Sequence, residues 1–216
     1  MKGHKWKKSI CIVVSIFVML TTSGCNTDES ISYNDARISY INALDEQVSF
    51  YVKKDGESGN LYNDKHHTIM LMKYDHSDEI KHKWFGYQKS EFAVQDSNSK
   101  SSKAVIKKSL KDNEKYWLIA WLDSGHYKLS VVKKYPSSRD NVYRVRIFAD
   151  SEYKVNVNDS FSFTTSKGEV SSYLTVDNCS SMTLEDEVID LCGKDSGYSY
   201  IAVVSGERLV SLVKSD

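Results

Sequence analysis

Two stretches of the chain carry the same pattern of apolar and polar positions. Tyr116 to Lys133 (YWLIAWLDSGHYKLSVVK) and Tyr198 to Lys214 (YSYIAVVSGERLVSLVK) each begin with a run apolar on both faces. Each then meets a Ser-Gly pair, Ser124-Gly125 or Ser205-Gly206, and returns as an alternating run that ends in lysine. Short β-prone runs bounded by turn residues read as hairpins. A strand apolar on both faces belongs inside a sandwich, and an alternating strand covers it with one face in water.

The repeat extends upstream. Ala36 to Val52, moved by 107 residues without a gap, meets Tyr143 to Asp159, with Ile38 on Val145, Tyr40 on Ile147, Val48 on Val155 and Phe50 on Val157. Coincidence at every second position is what a repeated strand-turn-strand unit requires. Further on the offset falls to 82, where Gly86 meets Gly168, Phe92 meets Leu174, Val94 meets Val176 and Ile119-Ala120 meets Ile201-Ala202. The change of offset places 25 extra residues in the first copy, as an insertion near 53–84. Residues 135–142, which hold the only proline, Pro136, read as a linker. The predicted fold class is all-β: two tandem Ig-like β-sandwich domains, 36–134 and 143–216, related by an internal repeat. Pairing of the copies into one larger sandwich is the alternative. Thr183 to Leu191 (TLEDEVIDL) is the one candidate for a short helix.

The N-terminus has a different pattern. Lys2, Lys5, Lys7 and Lys8 precede an apolar run of eleven residues, Ile10 to Leu20, too short to cross a bilayer's hydrocarbon core of about 30 Å as a helix. A basic segment followed by such a run reads as an export signal, residues 1–24. The signal ends in Thr22-Ser23-Gly24-Cys25, which resembles the lipobox of bacterial lipoproteins. That resemblance makes Cys25 the lipidated first residue of the mature chain, anchored by acyl chains, with 25–35 as a polar tether. Asn26 after the cysteine resembles the default outer-membrane sorting signal of Gram-negative lipoproteins. An ordinary cleaved signal with an incidental cysteine is the competing reading.

Processing changes the charge and cysteine arithmetic. The signal carries four lysines and no acidic residue, so removing it leaves 25 basic against 29 acidic residues, a formal −4. A mildly acidic chain has no electrostatic reason to bind nucleic acid. Of four cysteines, Cys11 leaves with the signal and Cys25 is lipidated, so Cys179 and Cys192 remain. An even remainder in an oxidising compartment reads as a disulfide, with a redox-active or metal-binding pair as the alternative.

Candidate chemistry concentrates in the first copy's insertion, which holds Asp64, His66, His67, Asp75, His76, Asp78, Glu79 and His82. Imidazoles and carboxylates together are the donor set of transition metals, but no HxxxH or HExxH spacing occurs, and no metal or other cofactor is expected. Nor does GxSxG occur, and Ser124 and His126 sit at a hairpin turn, so an enzyme is not expected. Trp117 and Trp121 flank Ile119 on one strand face and read as core. His66, His76, Trp84 and Tyr87, in and just beyond the insertion, remain as candidate binding residues.

Ala36-Arg37-Ile38 leading to Asn42-Ala43, Gly168 with Ser171 to Leu174, and Tyr200 to Val204 with Gly206 together resemble the bacterial domain-of-unknown-function family 4397. The resemblance implies exported β-sandwich domains, often in tandem and often on lipoproteins, and carries no catalytic motif. The expectation is a non-catalytic lipoprotein of the cell envelope, at the outer membrane, displaying two sandwiches for adhesion, assembly or protein interaction. A glycan- or small-ligand-binding module using the insertion is the alternative.

Overall fold

Period-two burial organises everything seen in the computed structural model, which describes residues 33–215. The signal, Cys25 and most of the tether lie outside the described residues. The first eight strands are β1 (Tyr33–Asn42), β2 (Val48–Lys54), β3 (His67–Leu71), β4 (Ile80–Phe85), β5 (Ser90–Asp96), β6 (Lys103–Lys108), β7 (Glu114–Asp123) and β8 (His126–Lys133). They form two sheets, ordered β4-β1-β7-β8 and β3-β2-β5-β6. The next eight are β9 (Tyr143–Ala149), β10 (Lys154–Val157), β11 (Phe161–Thr164), β12 (Leu174–Val176), β13 (Met182–Leu184), β14 (Glu187–Val188), β15 (Ser199–Ser205) and β16 (Arg208–Lys214). Their sheets repeat both orders, β12-β9-β15-β16 and β11-β10-β13-β14. In each copy one pair is parallel, β1 with β7 and β9 with β15. The protein is all-β, two sandwiches with one topology.

Each sandwich has its own core. In the first, Ile38, Tyr40, Leu118 and Ala120 of one sheet pack on Val48, Phe50, Phe92 and Val94 of the other. In the second, Val145, Ile147, Ala202 and Val204 pack on Val155, Val157, Met182 and Leu184. The opposite faces of β1, β7, β9 and β15 are also apolar, and they meet each other: Ile41, Trp117, Ile119 and Trp121 bury against Phe148, Ile201, Val203 and Val213. The strands apolar on both faces therefore fill two cores each, one inside their sandwich and one between the sandwiches. Trp117 and Trp121 are core as expected, but in this shared layer.

Trp121 shows how closely the layer is fitted. Its ring stands edge-on to Phe148 at 5.8 Å, and its Nε1–H donates to Ser130 Oγ (3.1 Å), whose hydroxyl donates to the Gly168 carbonyl (3.2 Å). Gly168 has φ +71°, and a Cβ there would lie 2.6 Å from Trp121 Cζ2, so glycine is required both by conformation and by contact.

Four expectations need correction. The strand equivalent to β12 is β4, not β5: Ile80 lies opposite Ile38 as Leu174 lies opposite Val145, whereas Phe92 is on a central strand of the other sheet. Ser77 and Ser171 confirm the match, because each hydroxyl accepts the backbone N–H of the residue, Tyr40 or Ile147, to whose carbonyl its own N–H donates. The extra length of the first copy is consequently not one insertion near 53–84. It is divided among the β2–β3 connection, 55–66 against 158–160, the path from Ile80 to Val94 against that from Leu174 to Met182, and the β5–β6 turn, 97–102 against 185–186. Thr183 to Leu191 is no helix but part of a hairpin, β13 to β14, turned at Glu185 with φ 51° and paired through Thr183 to Asn156 of β10. Finally, the second hairpin turns on Gly206-Glu207, one residue later than Ser205-Gly206, and Val210 of β16 is the extra residue of a bulge opposite Val203 and Val204.

The disulfide Cys179–Cys192 is present, with Cα atoms 4.6 Å apart, and it closes the β13–β14 hairpin against the second core. The linker is pinned by stacked rings and cations. Tyr135 lies under Lys133 Nζ (4.8 Å), Arg146 lies over both Tyr135 (5.9 Å) and Tyr173 (5.6 Å), and Arg144 covers Tyr173 (5.3 Å). The Tyr173 hydroxyl donates to the Tyr135 carbonyl, and Arg146 Nη1 donates to the Lys133 carbonyl.

Candidate functional site

The outward face of the sheet β4-β1-β7-β8 is graded along its length. On β1 the outward positions run Tyr33, Asp35, Arg37, Ser39, Ile41, since Ala36, Ile38 and Tyr40 point into the first core. On β4 they are Lys81, Lys83 and Phe85, because Ile80, His82 and Trp84 point inward. The face thus passes from aromatic, through charged, to the apolar layer under the second sandwich.

At the aromatic end Tyr33 and Phe85 are cross-strand partners with ring centroids 6.1 Å apart. Both are more than half exposed, and Tyr87, in the turn after β4, has its whole surface in water. β4 is an edge strand, with only β1 beside it. Lys81 and Lys83 guard that edge against pairing with another strand.

In the charged band Glu79 is shared by three cations: Lys134 Nζ at 3.0 Å, Lys115 Nζ at 3.1 Å and Arg37 at 3.7 Å. Lys134 is almost wholly buried, donates to Ser39 Oγ (2.9 Å), and lies 5.5 Å from the Trp117 ring centre. A depression of about 450 Å³ opens here, walled by Lys115, Lys134 and His76 on one side and by Val213 and Lys214 of the second sandwich on the other. Burial pushes the Glu79 carboxyl up, but hydrogen bonds and charge from Lys134 and Lys115 outweigh it and hold the group below its ordinary value. Asp78 lies in the same depression as Glu79, so carboxylates and cations alternate along the band.

The sequence-predicted residues fall in different places. Trp84 is 3 % exposed, stacked on His82 in the first core, so its ring is not available to a ligand. Tyr87 is exposed as expected, beside Phe85. His66 is 5 % exposed at the end of a one-turn 3-10 helix (Asp64–His66), its Nε2 3.9 Å from Glu57 Oε1 and without a hydrogen-bond partner. His76 is exposed at the rim of the charged depression, next to β1, and is not brought to His66. Among the described residues no three His, Cys, Asp or Glu side chains form a group that could hold a metal ion. His82, half-buried beside Trp84 and 2.9 Å from Ser90 Oγ, has its pKa lowered to about 4, first by burial and then by the charge of Lys54.

Arg37, Lys115, Lys134 and Tyr33 were not legible as site residues. Outward positions of β1 fix which face they share, but only the pairing of β1 with both β4 and β7 brings them together. No family model matches the chain, and none of the curated proteins does.

Proposed function

We propose that this protein is a non-catalytic, envelope-anchored lipoprotein that presents two fixed β-sandwiches to a protein partner. The observation that carries the reading is the aromatic group Tyr33, Phe85 and Tyr87, exposed together at the end of the face farthest from the second sandwich. Aromatic side chains supply most of the contact energy where proteins bind one another, and an edge strand places them clear of the sheet. The signal, Cys25 and the tether would anchor the chain to a membrane, and the resemblance to exported tandem sandwiches agrees with that setting.

Two measurements test it. Labelled palmitate enters the wild type and is lost in Cys25→Ala; label retained in the variant removes the anchor. A photocrosslinking side chain placed at Tyr87 gives one reproducible adduct in intact cells, and the adduct is lost when Phe85→Ala and Tyr33→Ala are added. The same smear from Tyr87 and from Val188, an exposed position on β14, would sink the partner.

A second reading rests on the charged band. An anionic sugar or other small anion could replace part of Glu79's role among Arg37, Lys115 and Lys134. Because Lys134 lies on the Trp117 ring, such binding would alter tryptophan fluorescence, and no change at millimolar anionic glycan removes it.

A further inference from the structure

The two copies treat one position differently. In the first sandwich Tyr40 points into the core, with its ring 5.1 Å from that of Phe50 and Thr68 against its hydroxyl. In the second, the residues at these places are Ile147 and Val157. Two rings are replaced by two aliphatic chains, and a cavity of about 270 Å³, open on one side to solvent, lies against Ile147.

Phe161, Phe163, Leu174 and Ser171 in its walls are counterparts of the Tyr40 surroundings, and Thr165, Ser166 and Glu169 give it a polar side. Phe161 stands opposite Val157 as Ile69 stands opposite Phe50, Phe163 opposite Val155 as Leu71 opposite Val48, and Leu174 opposite Val145 as Ile80 opposite Ile38. Ser171 holds the Ile147 backbone as Ser77 holds that of Tyr40. Ile69, Leu71 and Ile80 pack in one cluster with Tyr40, while Phe161, though inward by register, is 53 % exposed and stacked on Phe163 at 5.8 Å. An inward-facing phenylalanine left half in water marks a core position without its filling. The cavity opens between β11 and β12, each the edge strand of its own sheet, so neither sheet closes the entrance.

We infer that this cavity is a binding site for one aromatic ring, of the size and chemistry of a phenol, supplied by a ligand where the first sandwich uses its own Tyr40. An apolar cavity of roughly 150 Å³ takes a benzene molecule, so this one has room for a ring with a substituent. Thr164 and Ser172 at the wall provide hydroxyls for the ring's polar group. The ring belongs either to a free phenolic molecule or to a tyrosine side chain.

The experiment is a titration of the folded protein followed by methyl NMR, with p-cresol for the free ring and N-acetyltyrosine amide for the side chain. Saturable shifts are expected at the methyl groups of Ile147 and Leu174, with nuclear Overhauser contacts from the probe's ring protons to both. Tighter binding of the capped tyrosine assigns the ring to a peptide, and tighter binding of p-cresol assigns it to a small molecule. Ile147→Tyr, which restores the first sandwich's own filling, should weaken either probe by roughly tenfold or more. The inference is overturned if neither probe saturates below its solubility, or if Ile147→Tyr binds as well as the wild type. Should that variant fail to fold, absence of the Overhauser contacts in the wild type is equally decisive against it.

Discussion

The two sandwiches share eight strands and one order of pairing, yet they stabilise themselves differently. The first closes its core with large rings, Tyr40, Phe50, Phe92 and Trp84. The second has one buried ring, Tyr153, with Tyr143 and Phe163 half-buried at its margin, and is cross-linked as well: where the first runs β4 on to Trp84, the second ends β12 at Val176 and turns to Cys179, bonded to Cys192. A small domain buries a smaller fraction of its surface and needs a covalent or other supplement sooner. A strand scheme therefore fixes which positions point inward, while the means of filling or fastening them is free to differ. The layer between the sandwiches ties these two solutions together.

That tie is the largest effect to break. Trp117 is fully buried between the sandwiches, and Trp117→Ala should cost about 3–5 kcal/mol, as expected for truncating a buried tryptophan. The comparison sharpens if circular dichroism in denaturant gives one unfolding transition for the wild type and two for Trp117→Ala. Trp117→Phe should cost much less, because the Nε1–H it removes has no hydrogen-bond partner. One transition shifted as a whole in Trp117→Ala would mean that the sandwiches are coupled elsewhere.

Next is the cross-link. Replacing Cys179 and Cys192 together by serine should cost about 2–5 kcal/mol, all of it in the second sandwich. Hydrogen exchange should accelerate across β9 to β16 and leave β1 to β8 near their wild-type rates. Equal acceleration in both would show that the second sandwich is not the one that depends on the bond.

Acid should do the reverse. His82 is half-buried beside Trp84, and Val176 stands at its place in the second copy, opposite Tyr143 as His82 is opposite Ala36. Its pKa falls from 6.5 to about 4 on folding, so the unfolded chain binds the proton more readily. Stability is then whole above pH 6.5 and is lost as the pH falls toward 4, by up to about 3 kcal/mol. In His82→Phe the loss of the Ser90 contact lowers stability equally at every pH, while the slope between pH 6.5 and 4.5 should flatten. An unchanged slope would assign the acid sensitivity to another group.

Much of this was written in the pattern of residues. Period-two burial located both hairpins, the β1–β2 and β9–β10 repeat and the all-β class, and cysteine parity located the disulfide. The failures share one cause: a strand's pattern shows which residues turn the same way, but not which strand lies beside it. Phe92 and Leu174 look alike because both are inward, although they belong to different sheets. Ile119 and Trp121 look like the interior of one sandwich because burial between two sandwiches demands the same side chains. Trp84 looked available because an isolated ring near a polar stretch carries no sign of its partner, His82. The site had the same difficulty, since Arg37, Lys115 and Glu79 meet only through two different pairings of β1.

The smallest effect concerns the linker. Tyr173 carries a guanidinium on its ring from Arg144 and another from Arg146, and its hydroxyl holds the Tyr135 carbonyl. Each ring-cation contact at a partly exposed site contributes about 0.5–1 kcal/mol, so Tyr173→Ala should cost about 1–2 kcal/mol. Tyr173→Phe keeps both ring contacts and loses only the hydroxyl, so it should cost about half of that or less. Neither variant touches Trp117 or its neighbours, and the sandwiches should still unfold together. What changes is local: amide exchange over residues 135–142 should quicken in Tyr173→Ala far more than in Tyr173→Phe. If phenylalanine is as damaging as alanine, the hydroxyl and not the stacked cations holds the linker. If neither alters exchange there, the shared apolar layer alone fixes the two sandwiches, and the ladder of rings and cations follows from their placement instead of causing it.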